Sequence, residues 1–235
     1  MAVEEPIPSL DHEIYAWSEG YRCVAGLDEA GRGAWAGPVV AAAVILPPGD
    51  RQLARHLAGV RDSKELPPSR RESLLEVICT HAVAVGVGAV SAADIDAHGI
   101  VPATRQAMSL ALTVLSPPAD YLLIDYLALP DSPLPQVSLP RGDAFMLSVA
   151  AASIVAKVSR DRMMVDLDPH FPGYGFAQHK GYGTAQHQAA LALLGACRIH
   201  RFSFAPLHAL AMPPSADGAD LLVPHPRSWS LPGPV

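Results

Sequence analysis

An apolar segment over residues 22–28 runs straight into Asp28-Glu29-Ala30-Gly31-Arg32-Gly33, and a second apolar run follows over 38–46. Both runs read as strands, and the glycine-rich stretch joining them makes the second return beside the first as a hairpin with a wide turn. The hairpin supplies two strands of a sheet and sets two adjacent carboxylates at its turn end. Carboxylates there are hard oxygen donors of the kind Mg²⁺ and Mn²⁺ prefer, and glycines let backbone amides approach a sugar or phosphate. A solvated strand end is the plainer alternative, so the neighbours in the fold decide.

Downstream, Pro67 and Pro68 open a helix with Leu74, Leu75, Val77 and Ile78 on its apolar side, and 82–90 alternates valine with small residues as a third strand. Ser91 to Asp94 resembles a capping box ahead of an amphipathic helix over 102–115. Residues 121–125 form a short strand of the kind buried on both faces, ending on Asp125. After a segment around 134–139, Asp143 is placed as the N-cap of a long helix over 144–167. Its Ala150-Ala151-Ala152-Ser153 leaves room for close approach to a sheet. A last helix over 184–194 stops before Gly195. Strand hairpin, third strand and then alternating helices and strands imply an α/β fold, a mixed β-sheet flanked by helices with a small C-terminal helical extension. Residues 1–20 and the proline-rich 212–235 read as tails.

Four acids thus fall at element boundaries: Asp28, Glu29, Asp125 and Asp143. Alternation along a strand points Asp28 and Glu29 apart, which suits two ions, or one ion and a water network, better than one ion held symmetrically. Two divalent ions about 4 Å apart can hold an attacking water in line with a leaving oxygen, a common solution for phosphodiester hydrolysis. The net charge of −6 counts against a nucleic-acid partner. A local basic cluster of Lys157, Arg160, Arg162, Lys180, Arg198 and Arg201 offsets that objection.

Other chemistries lack their equipment. His179, His187 and His200 have no cysteine partner for a zinc site, and neither a GxSxG elbow nor a P-loop is present. Cys23, Cys79 and Cys197 are widely spaced and odd in number, which argues against a disulfide framework and for a reducing cytoplasm. The acidic start MAVEEP is unlike a signal peptide, and the apolar run over 39–46 is too short for a membrane span.

Seven separated motifs resemble bacterial ribonuclease HII, in order: GLDEAGRG at 26–33, DSKEL at 62–66, LLID at 122–125, GDA at 142–144, AAASIVAKVSRD at 150–161, FAQHKGYGT at 176–184 and HRFSFAP at 200–206. The resemblance implies a ribonuclease H-like fold with its catalytic domain over 21–211. It implies endonucleolytic hydrolysis of RNA paired to DNA and cutting 5′ to single ribonucleotides embedded in duplex DNA, leaving 3′-hydroxyl and 5′-phosphate ends. By the same resemblance Asp28, Glu29, Asp125 and Asp143 are the catalytic ligands for Mn²⁺ or Mg²⁺, and Gly31-Arg32-Gly33 is the turn that senses the ribose 2′-hydroxyl. Tyr182 matches the tyrosine that stacks on the neighbouring deoxyribose, while Tyr174 is assigned to loop packing. Lys64, Lys157 and Arg160 are further candidates for phosphate contact. The implied partners are RNA–DNA hybrid and ribonucleotide-containing duplex, bound by a monomer. A non-cleaving nucleic-acid-binding protein, or another nuclease on the same fold, are the alternatives. One position departs from the family pattern: Tyr126 follows the third acid, where glycine is usual. If that position needs a positive φ, tyrosine costs about 1 kcal/mol or more there. Ala34 in place of the usual proline is a milder change.

Overall fold

The computed structural model describes residues 6–50, 52–60, 63, 66–208 and 210. In chain order they form α1 (Asp11–Ser18), β1 (Val24–Ala30), β2 (Val39–Ile45), α2 (Leu53–His56), α3 (Pro68–His81), β3 (Ala84–Val90), α4 (Ala92–His98), α5 (Ile100–Thr113), β4 (Tyr121–Asp125), β5 (Gln136–Leu139), α6 (Gly142–Phe145), α7 (Leu147–Leu167), α8 (Phe176–His179) and α9 (Ala185–Leu194). The sheet order is β3-β2-β1-β4-β5. β2 runs antiparallel to β1 and β3, whereas β4 runs parallel to β1 and β5, so the sheet is mixed as expected.

The continuous apolar run of β2 follows from burial on both faces. Ala41, Ala43 and Ile45 pack with Ala103, Ala107 and Met108 of α5, and Ala42 and Val44 pack with α3 and α7. Each fully buried valine or isoleucine contributes about 1.5–3 kcal/mol of hydrophobic free energy. α7 lies directly on β1: a Cβ on Gly26 would sit 2.3 Å from the Ser148 carbonyl carbon, so only glycine allows that approach. Ala150, Ala151, Ala152 and Ser153 are all buried in this contact, as their small size predicts. Ser91 Oγ accepts from the Asp94 amide, but the helix it caps is the separate α4, and the helix expected over 102–115 begins as α5 at Ile100; Thr184 Oγ1 accepts from the His187 amide and Gly195 takes φ 74° after α9, in line with the helix expected over 184–194.

Two further expectations are corrected. Residues 1–20 are not a tail throughout, because Asp11–Ser18 is helical and docks on the core through Ala16. Buried Glu13 accepts a 2.8 Å hydrogen bond from the Ser148 amide, and the Ser9 carbonyl accepts from the Leu147 amide. These contacts satisfy orphan donors at the start of α7, whose N-cap Met146 offers no polar side chain. The second correction concerns Asp143, which is not the N-cap of one long helix. It lies inside the short α6, preceded by Arg141 at φ 61°, and Met146 at φ −111°, ψ 120° separates α6 from α7. The expected tail over 212–235 lies outside the described residues.

Candidate active site

β1 continues through Ala30, so Asp28 and Glu29 are strand residues on opposite faces rather than turn residues. In the parallel pair Leu27 is level with Ile124, which puts Asp28 level with Asp125 on the neighbouring strand. Both side chains leave the α7 face, from strands about 4.8 Å apart. Asp125 Oδ1 accepts from the Gly142 amide at 2.7 Å, which ties the start of α6, and therefore Asp143, to the end of β4. The sheet edge thus brings all four acids into one field. Burial, then repulsion from Glu29, Asp125 and Asp143, holds the Asp28 carboxyl well above the usual carboxylate range, although the Glu29 amide donates to its Oδ1 at 2.6 Å. Asp28 is only 4% exposed.

Four hard oxygen donors sharing one electrostatic field at the strand ends suit a divalent cation, whose charge would relieve the repulsion that weighs on Asp28. Among the described residues no three His, Cys, Asp or Glu side chains are already closed around an ion-sized space.

The turn beside the acids is built from below. Gly31 has φ 91°, and a Cβ there would lie 1.9 Å from Arg160 Nε, so this position requires glycine for both conformation and space. Arg160 is fully buried; its Nε donates to the Pro38 carbonyl (2.9 Å), Nη2 to Ala36 (3.0 Å) and Nη1 to Lys180 (2.9 Å). Its expected role as a phosphate contact is therefore corrected, because solvent does not reach it and each guanidinium nitrogen already donates. Arg201, also fully buried, donates from Nη1 to the Arg32 carbonyl at 3.0 Å and from Nε and Nη2 to Gly37 at 3.0 and 2.9 Å. Burial pushes its pKa down to about 9. The basic cluster over 157–201 is thus partly internal scaffolding, and Arg162 pairs with Glu72. Arg201 stands out in the sequence only through its place in HRFSFAP; nothing local marks it as a turn support.

The segment carrying Tyr182 is clipped to the same turn. The Trp35 amide donates to the Gly181 carbonyl at 2.8 Å, and a Cβ on Gly183 would meet Trp35 Cζ2 at 2.2 Å. The half-buried Tyr182 ring has Lys157 Nζ 5.4 Å and Arg160 Cζ 5.3 Å from its centroid. Lys157 also pairs with Asp161 at 2.6 Å, and Arg71 bridges Asp161 to the Ser63 and Leu66 carbonyls. That bridge brings α7 to the loop containing Lys64, although Lys64 itself lies outside the described residues. Tyr174 differs sharply: it is 7% exposed, its hydroxyl donates to the Gly195 carbonyl at 2.8 Å, and its ring stacks on Phe176.

Behind Tyr182, His187 and His200 are hydrogen-bonded to each other, and His179 stacks on His187. The Cys197 amide donates to His200 Nδ1 at 2.9 Å, leaving His200 Nε2–H to face His187 Nε2 at 3.0 Å, while His187 Nδ1–H reaches the Tyr182 carbonyl at 3.0 Å. One tautomer of each neutral ring satisfies all three contacts. Burial pushes both imidazoles down to about 4, consistent with neutral rings. His187, oriented by His200, thereby holds the Tyr182 carbonyl.

After the third acid, Tyr126 does take a positive φ, 58°, at the cost foreseen for a bulky residue there. Its ring lies against Arg32, whose guanidinium carbon is 5.7 Å from the centroid, and Arg32 Nη1 donates to Glu29 Oε1 at 3.2 Å.

Comparison with known proteins identifies the family. The family profile described as ribonuclease HII matches residues 25–207. The ribonuclease HII of Chloroflexus aurantiacus is 54% identical over 202 residues, covering 86% of this chain and 94% of that protein. That of Geotalea uraniireducens is 52% identical over 201 residues, covering 86% of this chain and 91% of the relative. Among solved structures, the ribonuclease H2 of Pyrococcus horikoshii superposes with a TM-score of 0.66 at 25% identity, over 79% of this chain and 95% of the other. With the profile spanning every element that builds the acidic edge and the two clipped turns, the chain belongs to the ribonuclease HII family.

Proposed function

We propose that this protein is an endoribonuclease that hydrolyses the RNA strand of RNA–DNA hybrids and cuts on the 5′ side of single ribonucleotides embedded in duplex DNA, leaving 3′-hydroxyl and 5′-phosphate ends. The observation that carries this reading is the level placement of Asp28 and Asp125 on adjacent strand ends, beside a glycine turn held from below. Asp28, Glu29, Asp125 and Asp143 would hold one or two Mg²⁺ or Mn²⁺ ions. When bound, such ions polarise the scissile phosphate and lower the pKa of an attacking water.

The chain's own residues do the selecting. The 2′-hydroxyl is the group that separates RNA from DNA at one sugar, and backbone groups of Gly31-Arg32-Gly33 read it as donor and acceptor. Tyr182 packs on the bare C2′ of the next deoxyribose, where a further hydroxyl would be crowded. Its carbonyl, held by His187, keeps the ring from swinging away. Lys157, paired with Asp161, lies beside that ring, and its ammonium would meet a neighbouring phosphate. The enzyme works as a monomer in a reducing compartment; among the described residues no helix is long and apolar enough to cross a membrane.

The test is incubation of purified protein with end-labelled duplexes holding no, one or four ribonucleotides, with Mg²⁺, Mn²⁺ or chelator. Cutting at the ribonucleotide 5′ side with either ion is expected. Equal cutting of all-DNA duplex, or cutting in chelator, would overturn the proposal.

A further inference from the structure

Nothing in the turn's own backbone requires residue 126 to be a tyrosine. Its backbone conformation, φ 58°, is one that glycine adopts freely and a bulky side chain resists. The turn around it is fixed by main-chain bonds that glycine would make equally well: the Tyr126 amide donates to the Leu139 carbonyl at 2.9 Å and the Leu127 amide to Asp125 at 2.6 Å. Nor does burial compensate, because the residue is 58% exposed. Strain retained for a solvated ring, directly after an active-site acid, points to use in binding.

What the ring touches indicates that use. Tyr126 leaves the end of β4, Arg32 leaves the turn after β1, and these strands are neighbours in the sheet. The guanidinium lies 5.7 Å from the ring centroid and simultaneously bonds Glu29. Ring and guanidinium therefore form one cation–π pair spanning the two strand ends that carry Asp28 and Asp125. Arg32 is itself partly exposed, at 33% of its side chain, so the pair meets solvent beside the strand ends that carry the acids. An exposed aromatic ring backed by a cation is suited to a nucleotide: a base or sugar face packs on the ring, and the cation draws the adjacent phosphate.

We infer that Tyr126, paired with Arg32, is a second aromatic contact to the nucleic-acid strand, lying across the acidic edge at the end of β4 and tightening substrate binding in this chain. The inference rests on the nuclease reading above. It predicts an effect on binding rather than on the chemical step, because neither side chain is placed to exchange a proton with the scissile phosphate.

The experiment compares wild type with Tyr126→Gly, Tyr126→Asn and Tyr126→Phe, in steady-state cleavage of a short one-ribonucleotide duplex with saturating Mg²⁺ and in thermal melting. Asparagine tolerates the left-handed conformation and serves as a second ring-free variant. Glycine and asparagine are expected to keep or raise the melting temperature and to raise KM about 5- to 150-fold, the range for one lost stacking contact, with kcat within about 2-fold of wild type. Phenylalanine should restore KM. In the double variant Tyr126→Gly/Arg32→Gln, KM should be no worse than in the weaker-binding single variant, since one unit is lost once. An unchanged KM in both ring-free variants, or KM effects of Tyr126→Gly and Arg32→Gln that multiply, would overturn the inference. Wild-type cleavage is the internal control: if wild type fails to cut, the nuclease reading falls, whereas wild-type cutting with indifferent variants sinks only the role of Tyr126.

Discussion

Replacing Arg160 by methionine separates a scaffold from a phosphate contact. The side chain volume is roughly kept, but three carbonyls, those of Ala36, Pro38 and Lys180, lose their donor inside the protein. A buried acceptor left without a partner costs about 1–3 kcal/mol. The three penalties do not simply add, because burial lowers the guanidinium pKa and its removal recovers some desolvation free energy. A net loss of about 3–5 kcal/mol is expected, the range for breaking a buried charged network. For a chain of this size each kcal/mol moves the melting temperature by about 2–4 °C, so the drop should be about 6–20 °C. Arg160→Lys supplies one donor site where three nitrogens were used, and should recover only part of it. The assay is thermal melting beside cleavage measured at several salt concentrations at a temperature where both proteins are folded. A phosphate contact would behave oppositely: melting unchanged, KM raised and its salt dependence reduced by about one ion. That pattern would refute the buried-scaffold account.

Asp125→Asn should keep the fold, since an amide oxygen can still accept from the Gly142 amide, yet reduce cleavage beyond the 10–100-fold typical of residues that only orient ligands; wild-type turnover at saturating Mg²⁺ would remove the metal site. Tyr182→Ala should slow single-turnover cleavage of an embedded ribonucleotide by about 5- to 150-fold with Tyr182→Phe close to wild type, whereas Tyr174→Phe should cost about 1 kcal/mol of stability through the lost bond to Gly195 and leave cleavage intact. The reverse assignment of losses would make Tyr174 the recognition ring. His187 and His200 sit at about 4 against an ordinary 6.5, so between those values the unfolded chain binds protons that the folded chain refuses. Their contribution is complete above pH about 6.5 and is lost as pH falls toward 4, by about 2–3 kcal/mol for the first proton. Asp28 has the opposite slope, its raised pKa favouring the folded state at low pH. Comparing pH–melting curves of wild type and His187→Gln isolates the imidazoles, and identical curves would refute the buried neutral pair.

The acids were legible because an apolar strand followed by Asp-Glu and glycines is a local pattern, and a short apolar strand ending on Asp125 is another. Their alignment was not, since strand register is set by pairing between residues nearly a hundred positions apart. Asp143 was misplaced for a physical reason: an acid before an alanine-rich helix is what an N-cap looks like, and the break at Met146 comes from tertiary contacts with Ser9 and Glu13. The same contacts explain why α1 was unreadable, for its eight residues gain meaning only by closing the start of α7. Arg160 and Arg201 read in the sequence as part of a basic cluster available to phosphate because charge is a property of one residue, whereas their burial depends on carbonyls supplied by remote turns.

Those two arginines also give the glycine turn its outward chemistry. In a trans peptide the carbonyl and the following amide point in opposite directions. Arg201 fixes the Arg32 carbonyl toward the interior, so the amide of Gly33 is turned to the other side. Gly33 itself is exposed, and a Cβ built on it would meet nothing within 4 Å. The inner surface of the turn is thus defined by buried guanidinium donors and the outer surface by a presented amide, without any side chain of the turn having to be polar. It also accounts for an acidic protein acting on a polyanion. Two cations are committed to orienting backbone dipoles, Lys157 is retained beside Tyr182, and the acidic edge is the place where divalent ions would supply the remaining positive charge.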